Sequence, residues 1–178
     1  MKTTIKIFSL FIVLGLLSSC DALLGELGLG KASISMSYSG DAKGEYKSLD
    51  LVSVAAVSGD LLTITTASAS TSGSAASFVI IIPVKIEKGT YDIAAIKKQQ
   101  GTSFSFGEAT KAGEDVQAFT INQQVGTDFS YTITKNEAGE ITGTFAGKML
   151  GGKANDKDEK VREITVTKGK FSAKYETE

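Results

Sequence analysis

Residues 129–149 read FSYTITKNEAGEITGTFAGKM. Phe129, Tyr131 and Ile133 alternate with Ser130, Thr132 and Thr134, the period of a strand with one buried and one wet face. Asn136-Glu137-Ala138-Gly139 supplies a turn. Beyond it Ile141, Phe145 and Met149 share a face with Gly143 and Gly147. Glycines inside a strand point to close packing or bends. The stretch reads as a β-hairpin with an aromatic inner face.

The same pattern extends outward on both sides. Ile34, Met36 and Tyr38 alternate with Ser33, Ser35 and Ser37, and Leu49 to Val57 keeps the β character. Ser58-Gly59-Asp60 is a turn signal leading into Leu62-Thr63-Ile64-Thr65. Thr66 to Ser77 (TASASTSGSAAS) is low in complexity and reads as a loop or frayed edge. Phe78 to Ile82 is a continuous apolar run, the best candidate for a central strand. Lys88-Gly89-Thr90-Tyr91 turns the chain, and Ser103–Phe106 and Val116–Ile121 are further short strands.

Near the C-terminus Ile164 and Val166 fall on even positions, whereas Phe171, Ala173 and Tyr175 fall on odd ones. A bulge at Lys168-Gly169 would put both sets on one face of a single strand. A two-residue hairpin is the other solution; the bulge is preferred. No segment reads as a helix of ten residues or more. The expectation is an all-β chain: an antiparallel β-sandwich, immunoglobulin-like or related, with a β-barrel as the alternative.

The first 31 residues are of another kind. Lys2 and Lys6 precede an apolar run from Ile7 to Leu17. That run is about half of the roughly 20 residues a membrane-spanning helix needs and fits the apolar region of a secretory signal. Leu17-Ser18-Ser19-Cys20 follows, and it resembles the lipobox of bacterial lipoproteins. Small residues admit the peptidase to the bond before the cysteine, and the thiol accepts the diacylglyceryl group. Cys20 is the only cysteine in the chain. The reading is a cleaved lipoprotein signal peptide at 1–19, a lipidated tether at 20–31 and the β domain at 32–178. Two or three acyl chains on Cys20 would hold the protein stably at a membrane, where one would not.

Composition narrows the chemistry. Removing residues 1–19 takes away Lys2 and Lys6 but no acidic residue, so the net charge moves from −1 to about −3. A mildly acidic chain without a Lys/Arg block argues against nucleic acid. With Cys20 lipidated there is no thiol nucleophile, thiolate metal site or disulfide. The chain has no His and no Trp, which removes the usual general base and the largest platform for stacking a sugar.

Each remaining chemical candidate has a plainer explanation. Asn155-Asp156-Lys157-Asp158-Glu159-Lys160 places oxygens at alternate positions, as a calcium loop does, but has no glycine at the sixth position and two lysines within it. It reads as a solvated hairpin tip between strands 140–149 and 161–167. Glu114/Asp115 and Glu137/Glu140 are paired carboxylates of the kind a glycosidase uses, yet they fall in turns. No serine lies in a strained nucleophile turn. Phe106, Phe119, Phe129, Phe145 and Phe171 read as packing residues, and Tyr38, Tyr46 and Tyr91 as anchors of turns with wet hydroxyls.

The order of these signatures resembles a family of small β-sandwich lipoproteins of Bacteroidota envelopes. The likeness rests on Ser58 to Thr65, Lys88 to Tyr91, Gly139 to Gly147 and Ile164 to Phe171, and spans roughly residues 32–176. It implies an outer-membrane protein and brings no catalytic residues with it. In such bacteria an acidic cluster after the lipidated cysteine directs export to the surface; here only Asp21 and Glu26 stand there. The expectation is a non-enzymatic envelope lipoprotein without cofactor or metal, attached to the membrane through Cys20. It would bind an envelope protein or a glycan, and a small-molecule or lipid carrier with a barrel cavity is the alternative.

Overall fold

In a computed structural model of the chain, the described residues run from 30 to 176, leaving out 70–74, 111–114, 122, 124–127 and 154–159. Cys20, Glu114 and the Asn155–Glu159 run lie outside them. The strands are β1 (Gly30–Gly40), β2 (Gly44–Lys47), β3 (Val54–Ser58), β4 (Leu61–Ala69), β5 (Ala75–Pro83), β6 (Gly89–Asp92), β7 (Ser103–Thr110), β8 (Asp115–Thr120), β9 (Phe129–Glu137), β10 (Glu140–Lys153) and β11 (Arg162–Lys174). Among the described residues one short helix, α1 (Ile93–Lys98), and a 3-10 turn at Asp50–Val52 accompany the strands.

The described residues are nearly all antiparallel β-sheet. Pairing runs β1–β3–β4–β5–β7–β8–β10–β11, and β11 returns to β1, so eight strands close into a ring in chain order. β3 meets β1 over only Gly30↔Ala55 and Lys31↔Val54; toward the other end β2 takes its place along β1. β8 likewise meets β10 only at Leu150–Lys153, while β9 pairs with the earlier part of the same β10 edge and β6 adds outside β9. The two architectures the sequence allows therefore meet in one molecule. Its end near Gly30 is joined by the β1–β3 pairs and open between β8 and β10, where β9 takes the place of β8 along β10. Its far end is closed by the β8–β10 pairs, with β2 and not β3 along β1 there, so the two sheets, β3-β4-β5-β7-β8 and β1-β11-β10-β9-β6, join at opposite ends of their two seams. Ile96 of α1 is fully buried in the core, and the Asp92 carboxylate caps the helix by accepting from the Ala95 N–H at 2.8 Å.

The sequence-derived boundaries shift in several places: β7 and β10 each run four residues past the expected end, β2 is an additional strand, and a 3-10 turn at Asp50–Val52 interrupts the expected β run of Leu49 to Val57. β1 starts at Gly30, two residues before the expected domain start. Strand continues through Thr66–Ala69 and resumes at Ala75, because Ala67, Ser68 and Ala69 pair with Ser77, Ala76 and Ala75. Small residues there weaken the pattern without breaking the ladder. Gly89–Asp92 is a strand and not a turn, paired with β9 from Gly89↔Ile133 to Asp92↔Ser130.

The hairpin at 136–139 is a two-residue turn with Ala138 at φ 52° and Gly139 at φ 70°. Both central residues in the left-handed region match the twist of the flanking strands. The C-terminal strand is continuous and bulged. Met36 on β1 and Ala146 on β10 each face an extra residue of β11, with Lys168 at φ 54°. The extra residue switches the parity, so Ile164, Val166, Phe171, Ala173 and Tyr175 are all buried.

The interior is filled. An eight-stranded barrel is just wide enough for side chains to occupy it, and here aromatics do so. Phe145 lies within 5.2–6.4 Å, between ring centroids, of Phe78, Phe104, Phe129 and Phe171. Glycines make room for these rings. Gly143 lies opposite Phe171 and Gly169 opposite Phe145. A Cβ on Gly143 would sit 2.5 Å from the Phe171 ring, and one on Gly169 2.7 Å from that of Phe145.

Candidate functional site

Tyrosine hydroxyls tie the connections to this interior. Tyr91 donates to the Glu87 carbonyl at 2.9 Å, the anchoring role expected of it. Tyr46 and Thr66 share a 2.7 Å bond, and burial pushes the Tyr46 hydroxyl up to about 12. Burial also raises Tyr38, with the Glu108 carboxylate beside it adding to the effect. Tyr131 donates to Gln99 Oε1 at 2.6 Å, and burial raises it strongly. Tyr175 donates to Asn136 Oδ1 at 2.7 Å, while Asn136 Nδ2 donates to the Val84 and Ile86 carbonyls, both at 2.8 Å. These groups fasten loops; none is paired with a nucleophile. Gln99 and Asn136 carry no motif by which the sequence could have marked them.

At the far end the inward positions turn polar: Tyr38, Glu108, Gln117 and Arg162 follow the buried Phe106, Phe119 and Ile164 along their strands. Tyr38 is hydrogen-bonded to Glu108, and Glu108 pairs in register with Gln117. The carboxylate pair at the β9–β10 turn is solvated. Glu140 bonds Lys135 at 2.7 Å and Glu137 lies 3.7 Å from Lys88, and the Lys135 hydrogen bond holds the Glu140 carboxyl below its usual value. Among the described residues no three His, Cys, Asp or Glu side chains come together as a metal site.

Two outer faces remain, and they differ. The face built by β1, β11, β10, β9 and β6 carries rows of hydroxyls at matched register. Ser33, Ser172 and Thr142 form one row, and Thr144, Thr132 and Thr90 another, with Ser35 and Lys170 completing the second. Neighbouring hydroxyls bond one another: Ser33 to Ser172 at 2.8 Å, and Thr90 to Thr132 and Thr134 to Thr142 at 2.9 Å. Two open grooves run over this face, both bordered by Ser35, Thr144 and Lys170, and one also by Lys168. Lys168 and Lys170 face solvent. The Ser/Thr alternation was visible in the sequence as a wet face; its alignment across five strands was not, because register is a tertiary property.

The opposite face, built by β3, β4, β5, β7 and β8, has no charged residue among its described outward positions. Val54, Thr65, Val79, Ser105 and Thr120 form one row across it, and Ala56, Thr63, Ile81 and Ser103 the next. β5 does not alternate. Phe78, Ile80 and Ile82 are fully buried inside, but Val79 and Ile81 point outward and stay half-buried.

Comparison of the chain with protein-family models, with curated proteins and with solved structures finds no match in any of the three. Among the described residues no helix is long and apolar enough to cross a membrane.

Proposed function

We propose that this chain is a lipid-anchored module of a bacterial cell envelope, held to the outer membrane through acylated Cys20. It acts without catalysis, by binding an envelope protein or glycan. One observation carries the choice of a module over a carrier: the barrel interior is filled. A lipid or small-molecule carrier needs an apolar cavity of several hundred Å³, and Phe78, Phe104, Phe129, Phe145 and Phe171 occupy that space. Binding then falls to the outside. The grooved hydroxyl face suits a glycan, since rows of Ser and Thr both donate and accept hydrogen bonds and Lys168 and Lys170 favour acidic sugars. The tether enters at the near end through Gly30, so the polar far end points away from the anchor.

The test is thermal denaturation of the Cys20→Ala chain with neutral and acidic glycans, fatty acids and envelope extract. A ligand of the native state at a hundredfold its Kd adds about 2.7 kcal/mol of stability, several degrees in Tm. Stabilisation by an acidic glycan or an envelope component is expected. Stabilisation by fatty acid would turn the assignment to a carrier.

A further inference from the structure

We infer that the uncharged face of β3-β4-β5-β7-β8 is covered in the membrane by the same face of a second copy of this chain. An antiparallel sheet with one wet face alternates apolar-in with polar-out. β5 breaks that rule with Val79 and Ile81 outside; β4 and β7 beside it carry Thr63, Thr65, Ser103 and Ser105, and β3 and β8 beyond them Val54, Ala56 and Ala118, without one Lys, Arg, Asp or Glu among the described outward residues. The hydroxyl face, by contrast, carries Lys148–Glu163 at 3.0 Å and Lys135–Glu140 at 2.7 Å. Charges left off one face only are what a sheet-on-sheet contact requires.

The occupant is argued from shape and area. Apart from Leu61 at the end of β4, the described outward side chains on this face are small or β-branched, with no aromatic among them, so two such faces can pack at the usual sheet spacing of about 10 Å. Five strands about 4.8 Å apart and six residues long at about 3.3 Å each make a face of about 500 Å². Two faces together reach about 1,000 Å², the lower bound for a specific interface. Such a contact is weak in free solution. Tethering both copies to one bilayer, which rests on the lipid anchor proposed above, raises their effective concentration. The symmetry permits it: a two-fold axis along the strands puts both Gly30 residues, and hence both tethers, at the same end.

Cross-linking of the full chain in native membranes tests this. Val79→Cys is compared with Thr144→Cys on the opposite face, using a short bismaleimide. A product of twice the mass is expected from Val79→Cys, several-fold more abundant than from Thr144→Cys. Adding Ile81→Lys to Val79→Cys should reduce it to the Thr144→Cys level while the melting curve shows a folded chain. Equal cross-linking from both faces, no dimer, or a product containing a different protein would overturn the inference. The wild-type chain separates this from the anchor. A thioether at Cys20 leaves no thiol, so wild type should not cross-link; if it does, the lipid reading fails. The Val79/Thr144 comparison, repeated with Cys20→Ser, then still decides the dimer.

Discussion

The two outer faces are built from the same strand geometry around one interior, yet they are dressed differently. On β9 and β10, Thr132, Thr134, Thr142 and Thr144 stand above Tyr131, Ile133, Ile141 and Phe145, and lysines and glutamates surround them. On β5, Val79 and Ile81 stand above Phe78, Ile80 and Ile82 with only Thr, Ser and small apolar residues beside them. Interior packing is alike on the two sides, so stability does not explain the difference. The difference lies in the outward residues themselves: hydroxyls among charges on one side, hydroxyls and small apolar residues without charge among the described positions on the other.

The largest expected effect comes from the interior both faces share. Phe145→Ala removes the ring that touches four other aromatics and should lower the free energy of unfolding by about 3–5 kcal/mol, read from denaturant melts. Thr144→Ala, one residue away on the wet side, should change it by less than about 0.5 kcal/mol. Similar losses from the two would contradict the filled interior.

A second effect belongs to the hydroxyl side alone. A methyl at Gly143 would meet the Phe171 ring and the Thr132 carbonyl, each at 2.5 Å. Gly143→Ala should therefore cost about 1–3 kcal/mol through overpacking. It should also weaken glycan binding, because β9 and β10 must part. Gly152→Ala, where a Cβ meets nothing within 4 Å, is the control.

Charge placed on each face sharpens the contrast further. Val79→Lys and Thr132→Lys should each shift stability by no more than about 1 kcal/mol, the span of strand propensities. Only Val79→Lys should abolish the membrane dimer, and only Thr132→Lys should alter affinity for a glycan. Exchange of these phenotypes would reverse the assignment of the faces.

The smallest effects are in pH dependence. Folded pKa values of Tyr38, Tyr46 and Tyr131 are raised by burial, Tyr46 to about 12, above an unfolded value of about 10. Their contribution is complete below pH about 10 and is lost as pH rises toward the folded values. Phenolate absorbance from these three tyrosines should therefore appear together with alkaline unfolding and not before it. Glu140 works in the opposite direction. Lys135 lowers its folded pKa, so its contribution is present above the unfolded value and lost as pH falls through the folded one. That pair is solvent-exposed, and Lys135→Met should leave the acid midpoint almost unchanged.

Local patterns carried much of this structure. The hairpin at 136–139, the central place of β5 and the bulge at Lys168-Gly169 were legible because each is written in alternation and turn chemistry within about twenty residues. Ring closure was not, since it depends on β11 meeting β1 across some 130 residues. The strand at Gly89–Asp92 was hidden by its glycine and its four-residue length. Phe78–Ile82 was legible as a strand but misleading about its outer side: a continuous apolar run suggests cover on both faces, and the fold supplies it on one. For the site, Tyr91 was recognised as an anchor from its place beside a turn, whereas the hydroxyl rows needed register. Cys20 is legible only in the sequence.

That residue carries the account. Metabolic labelling with an alkyne fatty acid, followed by membrane fractionation of wild type and Cys20→Ala, tests it most directly. The account expects wild type to be labelled and to stay with the outer membrane after salt and carbonate washes, and Cys20→Ala to be unlabelled and released. Label retained after Cys20→Ala, or an unlabelled wild type in the soluble fraction, would contradict a lipid-anchored barrel.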